Sequence, residues 1–188
     1  MAALARDSGA TVVASGQGAR VLRQGHSDAD DPQMGLVEPF PPVTKIRVVP
    51  DGEKILLGKT AITARATPGH TPGSMSWTWR SCEKGRCLNM VFASSLNPVS
   101  ADGYRFSALT NASTRAAFAQ TFAVLGHLPC DILLTAHPDQ SGGDIKFGRL
   151  QRHPLPNPFI EPGACCAYAD KFAGRLAARI AREGAQKN

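Results

Sequence analysis

The chain runs to 188 residues, 43% hydrophobic and 19% charged, with 21 Lys and Arg against 15 Asp and Glu for a formal net charge of +6. This composition suits one globular domain with a core of its own and excludes fibrous and disordered classes. No apolar run approaches the roughly 18 residues of a membrane span, and residues 1–20 carry no charged start followed by an apolar stretch, so neither a membrane segment nor a signal peptide is expected in the chain.

Met1 to Arg6 is alanine-rich and predicts the tail of a helix closed at Asp7-Ser8-Gly9; lacking an N-cap or polar lead-in, this helix predicts further sequence upstream. A short buried strand is expected over Thr11 to Ser15, a helix over Gln17 to Gln24, and a loop from His26 to Pro42, where Asp, Pro and Gly concentrate. Strands follow over Lys45 to Val49, Lys54 to Leu57 and Thr60 to Thr67, with Ile62, Ala64 and Ala66 alternating inward. Met75 to Trp79 alternates again and puts Trp77 and Trp79 on a core-facing side. Leu88 to Ala93 is the returning strand, and a loop from Pro98 to Thr110 leads to a helix capped by Ser113 that buries Phe118, Phe122 and Leu125. A short strand is expected over Asp131 to Thr135, a proline-rich loop over Gly142 to Gly163, and a last helix over Ala167 to Glu183 burying Phe172, Leu176 and Ile180. On that helix Lys171, Arg175, Arg179 and Arg182 read as a solvated face rather than a phosphate-binding stripe, so no nucleic-acid partner is expected. Strands alternating with helices suit a layered α/β or α+β domain.

The stretch Thr67-Pro68-Gly69-His70-Thr71-Pro72-Gly73-Ser74 holds one histidine between two Pro-Gly turns at a strand end. Proline fixes φ and glycine tolerates positive φ, so the backbone bends twice and His70 is mounted rigidly, as a metal ligand or a base requires. His137 also ends a strand beside a proline, whereas His127 and His153 read as surface residues. The cluster from His26 to Asp31, with Asp28 and Asp30, has metal-binding residue types but reads as a solvated turn with no scaffold to aim them. Five cysteines, with Cys82 and Cys87 bracketing a tight segment, lack the short C-x-x-C spacing of a zinc cluster. Disulfides in an oxidising compartment, with one thiol left over, are the better reading, and buried free thiols the alternative.

Four stretches, TPGHTPGSMSWTW, SSLNPVSADGYRF, LPCDILLTAHP and NPFIEPGACCAYAD, in that order and register, resemble the third subclass of the metallo-β-lactamases from near residue 1 to the C-terminal helix. The resemblance implies an αβ/βα sandwich, with residues 1–188 a single partial domain whose N-terminal part is missing. It puts His70 on a ligand of the first zinc and His137 on a ligand of the second, two ions being bound in the complete enzyme. It puts Ser95 and Asn97 on residues that hold the carboxylate of a β-lactam substrate. Cys130 and Cys165 fall on the family's disulfide, Cys82 and Cys87 on a second one found in some members, and Cys166 remains as the odd thiol. A periplasmic or secreted protein is implied, and nothing bears on its oligomeric state.

The segment Ala93-Ser94-Ser95-Leu96-Asn97 has no carboxylate where thioesterase-like members of the superfamily have an acidic zinc-bridging residue, and Ser94 stands where the lactamases often have Asp. The superfamily motif H-x-H-x-D-H, which supplies the remaining zinc ligands, occurs nowhere in the 188 residues. The expectation is therefore a zinc-dependent β-lactam hydrolase by resemblance, with this chain inactive and binding zinc weakly. The other readings are a thioesterase- or lactonase-type hydrolase of the same fold, or a non-catalytic remnant.

Overall fold

The computed structural model describes residues 1–185. A first helix, α1 (Ala2–Ser8), ends on Gly9 in the left-handed conformation at φ 68°, and β1 (Val12–Ala14) leads into α2 (Gly16–Gln24). Ser15 caps α2, its Oγ accepting the Gly18 amide at 3.0 Å, and β2 (Ile46–Val48) pairs in parallel with β1. The remaining strands, β3 (Lys54–Leu57), β4 (Thr60–Ala66), β5 (Met75–Glu83), β6 (Arg86–Ala93) and β7 (Ile132–Thr135), form one sheet in that order. All its pairings are antiparallel except β6 with β7. The helices α3 (Ala112–His127), α4 (Gly143–Arg152) and α5 (Ala164–Ala185) complete the described chain.

The sheet's alternation gives it two different faces. On one, Val91 and Leu133 stand opposite each other and pack with Leu125 of α3 and Tyr168, Ala169 and Phe172 of α5 in the main core. Phe106, Phe118 and Leu176 form a second cluster beside it. On the other face a row runs across four strands, Ala64 to Trp77 to Phe92 to Leu134. Phe92 on this row is 38% exposed, and both tryptophans are only half-buried, so the closed core expected around them is not formed by the described residues. Part of the face looks across a cavity to β1, which brings Val12 and Ala14 opposite Met75 and Trp77.

Both disulfides form as the resemblance implied, Cys82 to Cys87 and Cys130 to Cys165, leaving Cys166 free and exposed. The first closes the β5–β6 hairpin, and the second ties the start of α5 to the lead-in of β7.

Other expectations change. Ser113 lies inside α3, whose N-cap position is Asn111 after a 3-10 turn at Leu109–Asn111, because that turn already sets the helix axis upstream. The segment expected as loop contains α4: its prolines all lie beyond Arg152, so none interrupts the helix. The basic residues of α5 are not a freely solvated face. Lys171 Nζ donates to the Gln140 carbonyl at 2.6 Å, Arg175 lies over the Phe172 ring at 4.9 Å, and Arg179 bonds Glu183 (2.9 Å), the Pro98 carbonyl (2.5 Å) and Ser100 Oγ (2.6 Å). The charged heads of Lys171, Arg175 and Arg179 themselves lie over aromatic rings, Arg179 over Phe106 at 4.6 Å.

Candidate functional site

The sheet topology decides which strand ends meet. β4 and β6 both run antiparallel to β5, and β7 is parallel to β6, so β4, β6 and β7 all finish at one rim. His70 follows β4, Ser95 and Asn97 follow β6, and His137 follows β7. Three sequence-distant stretches therefore arrive at the same edge.

A small hydroxyl network locks two of these ends together. Thr67, fully buried, has its Oγ1 2.9 Å from Ser76 Oγ and 3.0 Å from Ser94 Oγ, and Ser76 Oγ also accepts the Ser94 amide at 3.1 Å. Ser94 thus serves as a brace between β4, β5 and β6. Beyond it the Pro-Gly turns are pinned from both sides. The Pro68 carbonyl accepts Thr121 Oγ1 of α3 at 2.6 Å, and the Gly73 carbonyl accepts Ser15 Oγ before α2 at 2.8 Å. Gly69 has φ 138°, and a Cβ there would sit 2.8 Å from the Phe118 ring; a Cβ on Gly73 would sit 2.5 Å from the Gly18 amide nitrogen. Only glycine fits either place.

On this mount the imidazole of His70 points one nitrogen at a fixed partner. Its Nδ1 lies 2.7 Å from the Asn97 backbone oxygen, and since a carbonyl only accepts, Nδ1 carries the hydrogen. The lone pair is then on Nε2, the arrangement in which a histidine serves as a metal donor with its other nitrogen oriented by a carbonyl. Gln33 lies against this atom: its Nε2 is 3.4 Å from His70 Nε2 and donates to the His70 carbonyl at 3.0 Å. Burial lowers the His70 pKa below its ordinary value; the Asn97 bond and Asp31 act in the opposite sense, and His137 adds to the lowering.

The other candidates are arranged less completely. His137 is exposed, and the described bonds engage only its backbone, whose carbonyl accepts Thr135 Oγ1 at 2.9 Å. Ser95 is 5% exposed, and its Oγ accepts the Asn97 amide at 3.3 Å, which is a turn-capping contact. Asn97 meets His70 through its backbone. A cavity of about 470 Å³ beside His70 is lined by Val12, Val21, Asp31, Gln33 and Trp77 among others, but not by Ser95, Asn97 or His137.

The loop read as a solvated turn also contributes. Asp31 is 7% exposed, with Oδ1 accepting the Gln33 amide at 2.8 Å; burial raises its pKa, and the charge of His70 works against that rise. Asp28 accepts from Arg20 (2.6 Å) and Gln24 (2.6 Å). Neither of these carboxylates is free in solvent, as the composition of the turn had implied. Asp31 and Gln33 have no local motif that would have marked them, because they reach His70 only through the folding of the loop.

Solved structures resemble this chain over nearly all of its length. The chain matches a metallo-β-lactamase described as the first of subclass B3 with an active-site glutamic acid, at 48% identity and a TM-score of 0.86, over 97% of this chain and 64% of that one. It matches MEM-A1, a subclass B3 metallo-β-lactamase from a soil metagenome library, at 42% identity and a TM-score of 0.92, over 98% of this chain and 70% of that one. The chain belongs to the subclass B3 metallo-β-lactamase family. A third relative, SMB-1 solved with 2-mercaptoethanesulfonate, is 41% identical with a TM-score of 0.92, over 97% of this chain and 69% of that one. The B3 chain thus spans about two thirds of the length of these relatives, between 64% and 70%. No protein-family model matches it.

A metallo-β-lactamase fold implies zinc, and the donors can be tested against that. A catalytic zinc takes about three protein ligands and keeps one position open. Among the described residues no group of three His, Cys, Asp or Glu side chains could hold a metal ion. His70 is oriented as a donor, but this B3 chain does not assemble a zinc site from its described residues.

Proposed function

We propose that this chain carries part of the machinery of a zinc-dependent β-lactam hydrolase, and that on its own it does not hydrolyse β-lactams. In this reading His70 and His137 each supply one donor, to two different zinc ions, and Ser95 and Asn97 bind the substrate carboxylate. The observation that carries the proposal is the 2.7 Å bond from His70 Nδ1–H to the Asn97 carbonyl, which leaves Nε2 as the metal-facing atom. The same bond joins the metal-donor loop to the substrate loop. Nothing comparable supports a thioesterase- or lactonase-type activity, since Ser94 to Asn97 at the end of β6 contains no carboxylate. The two disulfides agree with an oxidising compartment, the periplasm or outside of the cell.

Metal content and turnover of a chromogenic cephalosporin by the 188-residue chain test the proposal together. The expected result is well under one zinc per chain after dialysis and no turnover above background. Two zinc ions per chain with chelator-sensitive turnover would overturn it, and would show that ligands such as Asp31 move into place when metal is added.

A further inference from the structure

We propose that the helix-side face of strands β3 to β5 holds a second binding site, distinct from the histidine rim, for a small multivalent oxyanion of the pyrophosphate class. A groove of about 460 Å³ opens there, and Lys54, Lys59, Arg65 and Arg80 all line it while no carboxylate does. These cations come from β3, the β3–β4 turn, β4 and β5, and only strand pairing brings them together. Register explains how: Lys54 stands opposite Thr63, Thr63 opposite Thr78, and Arg80 opposite Asn89, so the groove floor alternates cations with hydroxyl and amide groups.

Four like charges around one groove repel one another and ordinarily attract acidic partners during folding. Here the carboxylates of the surrounding segments are committed elsewhere. Glu53 pairs with Arg47 at 2.6 Å, Asp51 accepts the Ala66 amide at 2.8 Å, and Asp131 accepts the Asn89 amide and Nδ2 at 2.7 and 2.9 Å. Glu83 is carried away to the hairpin tip, opposite Arg86. None of the four groove cations takes part in an ion pair among the described residues. Arg65 goes further: its Nε is buried and makes no hydrogen bond. A guanidinium taken partly out of water without a counter-charge is costly unless an anion completes it.

The chemistry selects the ligand. Arginine forks and lysine ammonium groups match tetrahedral oxyanions, and threonine hydroxyls donate to their remaining oxygens. Cations spread over three adjacent strands span roughly 10 Å at the usual ~4.8 Å strand spacing, which favours two linked phosphoryl groups over one.

Titration calorimetry of the 188-residue chain with inorganic pyrophosphate, at fixed ionic strength, tests this. Saturable one-to-one binding is expected, tighter than that of orthophosphate or acetate. Arg65→Gln and the exposed double variant Lys54→Gln/Arg80→Gln should each weaken it by at least about tenfold. The double variant carries the test if Arg65→Gln does not fold. Lys171→Gln/Arg175→Gln, which removes the same charge from α5, should leave affinity unchanged. Absence of saturable binding overturns the proposal, as does an equal loss in the α5 control, which would mean that only net charge is being read.

Discussion

His70 Nδ1 donates to the backbone carbonyl of Asn97 at 2.7 Å, so the loop after β4 and the loop after β6 hold one another in place. This contact sits within a partly buried rim, and burial depresses the pKa of His70. The unfolded chain, with an imidazole near its usual value of about 6.5, binds the proton more readily than the folded one. Stability therefore rises with pH through this range: the contribution is intact above the unfolded value and is lost as the pH falls toward the folded one. Urea unfolding at about pH 7.5 and about pH 5.5 should show the wild-type chain weaker at the lower pH. In His70→Gln the drop should shrink; an undiminished drop would place the acid sensitivity elsewhere.

Gly69→Ala should be among the most damaging single-methyl changes in the molecule. The new Cβ would lie 2.8 Å from the Phe118 ring in a backbone at φ 138°. Strain and overpacking together predict a loss of about 2 to 4 kcal/mol in denaturant unfolding. Phe118→Leu in the same chain should recover part of it by yielding space, and no recovery would mean that backbone strain alone sets the cost.

The two disulfides should differ in weight. In the chain-entropy picture, closing a loop of sequence separation 35 is worth about 4 kcal/mol and one of separation 5 about 2 kcal/mol. Cys130→Ser/Cys165→Ser should therefore lower Tm more than Cys82→Ser/Cys87→Ser, the reverse order counting against that picture.

Ser95→Ala separates two roles of one hydroxyl. Its contact with the Asn97 amide at 3.3 Å predicts a stability loss of about 1 kcal/mol or less. If the hydroxyl also holds a substrate carboxylate, the change should raise KM more than it lowers kcat in a chain completed with the remaining zinc ligands. An unchanged KM across several β-lactams would leave Ser95 as a turn cap.

Much of this arrangement was legible because its determinants are local. The double Pro-Gly turn around His70 and the apolar spacing of Phe172 and Leu176 depend on a few neighbouring residues and appear where expected, whereas Met75 to Trp79 forms its strand but leaves the tryptophans only half-buried. What was missed is tertiary. Gln33 meets His70, and Asp31 lines the same cavity, only after a loop folds back, and nothing in their surroundings distinguishes them from solvated turn residues. Arg65 and Lys54 look scattered in sequence because the distance that matters between them runs across strands. Helix α4 was hidden for another reason: Gly143 and Gly148 weaken its propensity, and the prolines after it colour the whole segment as loop.

The row from Ala64 through Trp77 and Phe92 to Leu134 has a spectroscopic consequence. The chain has two tryptophans, Trp77 and Trp79, and both lie half-buried on that face, while the helix-side core contains none. Intrinsic fluorescence will therefore be almost blind to α3 and α5 and will follow the wetting of a single surface. Whatever comes to lie over that surface, be it more polypeptide, a second copy or a detergent, will shift the emission to the blue, and the chain carries its own reporter for the event.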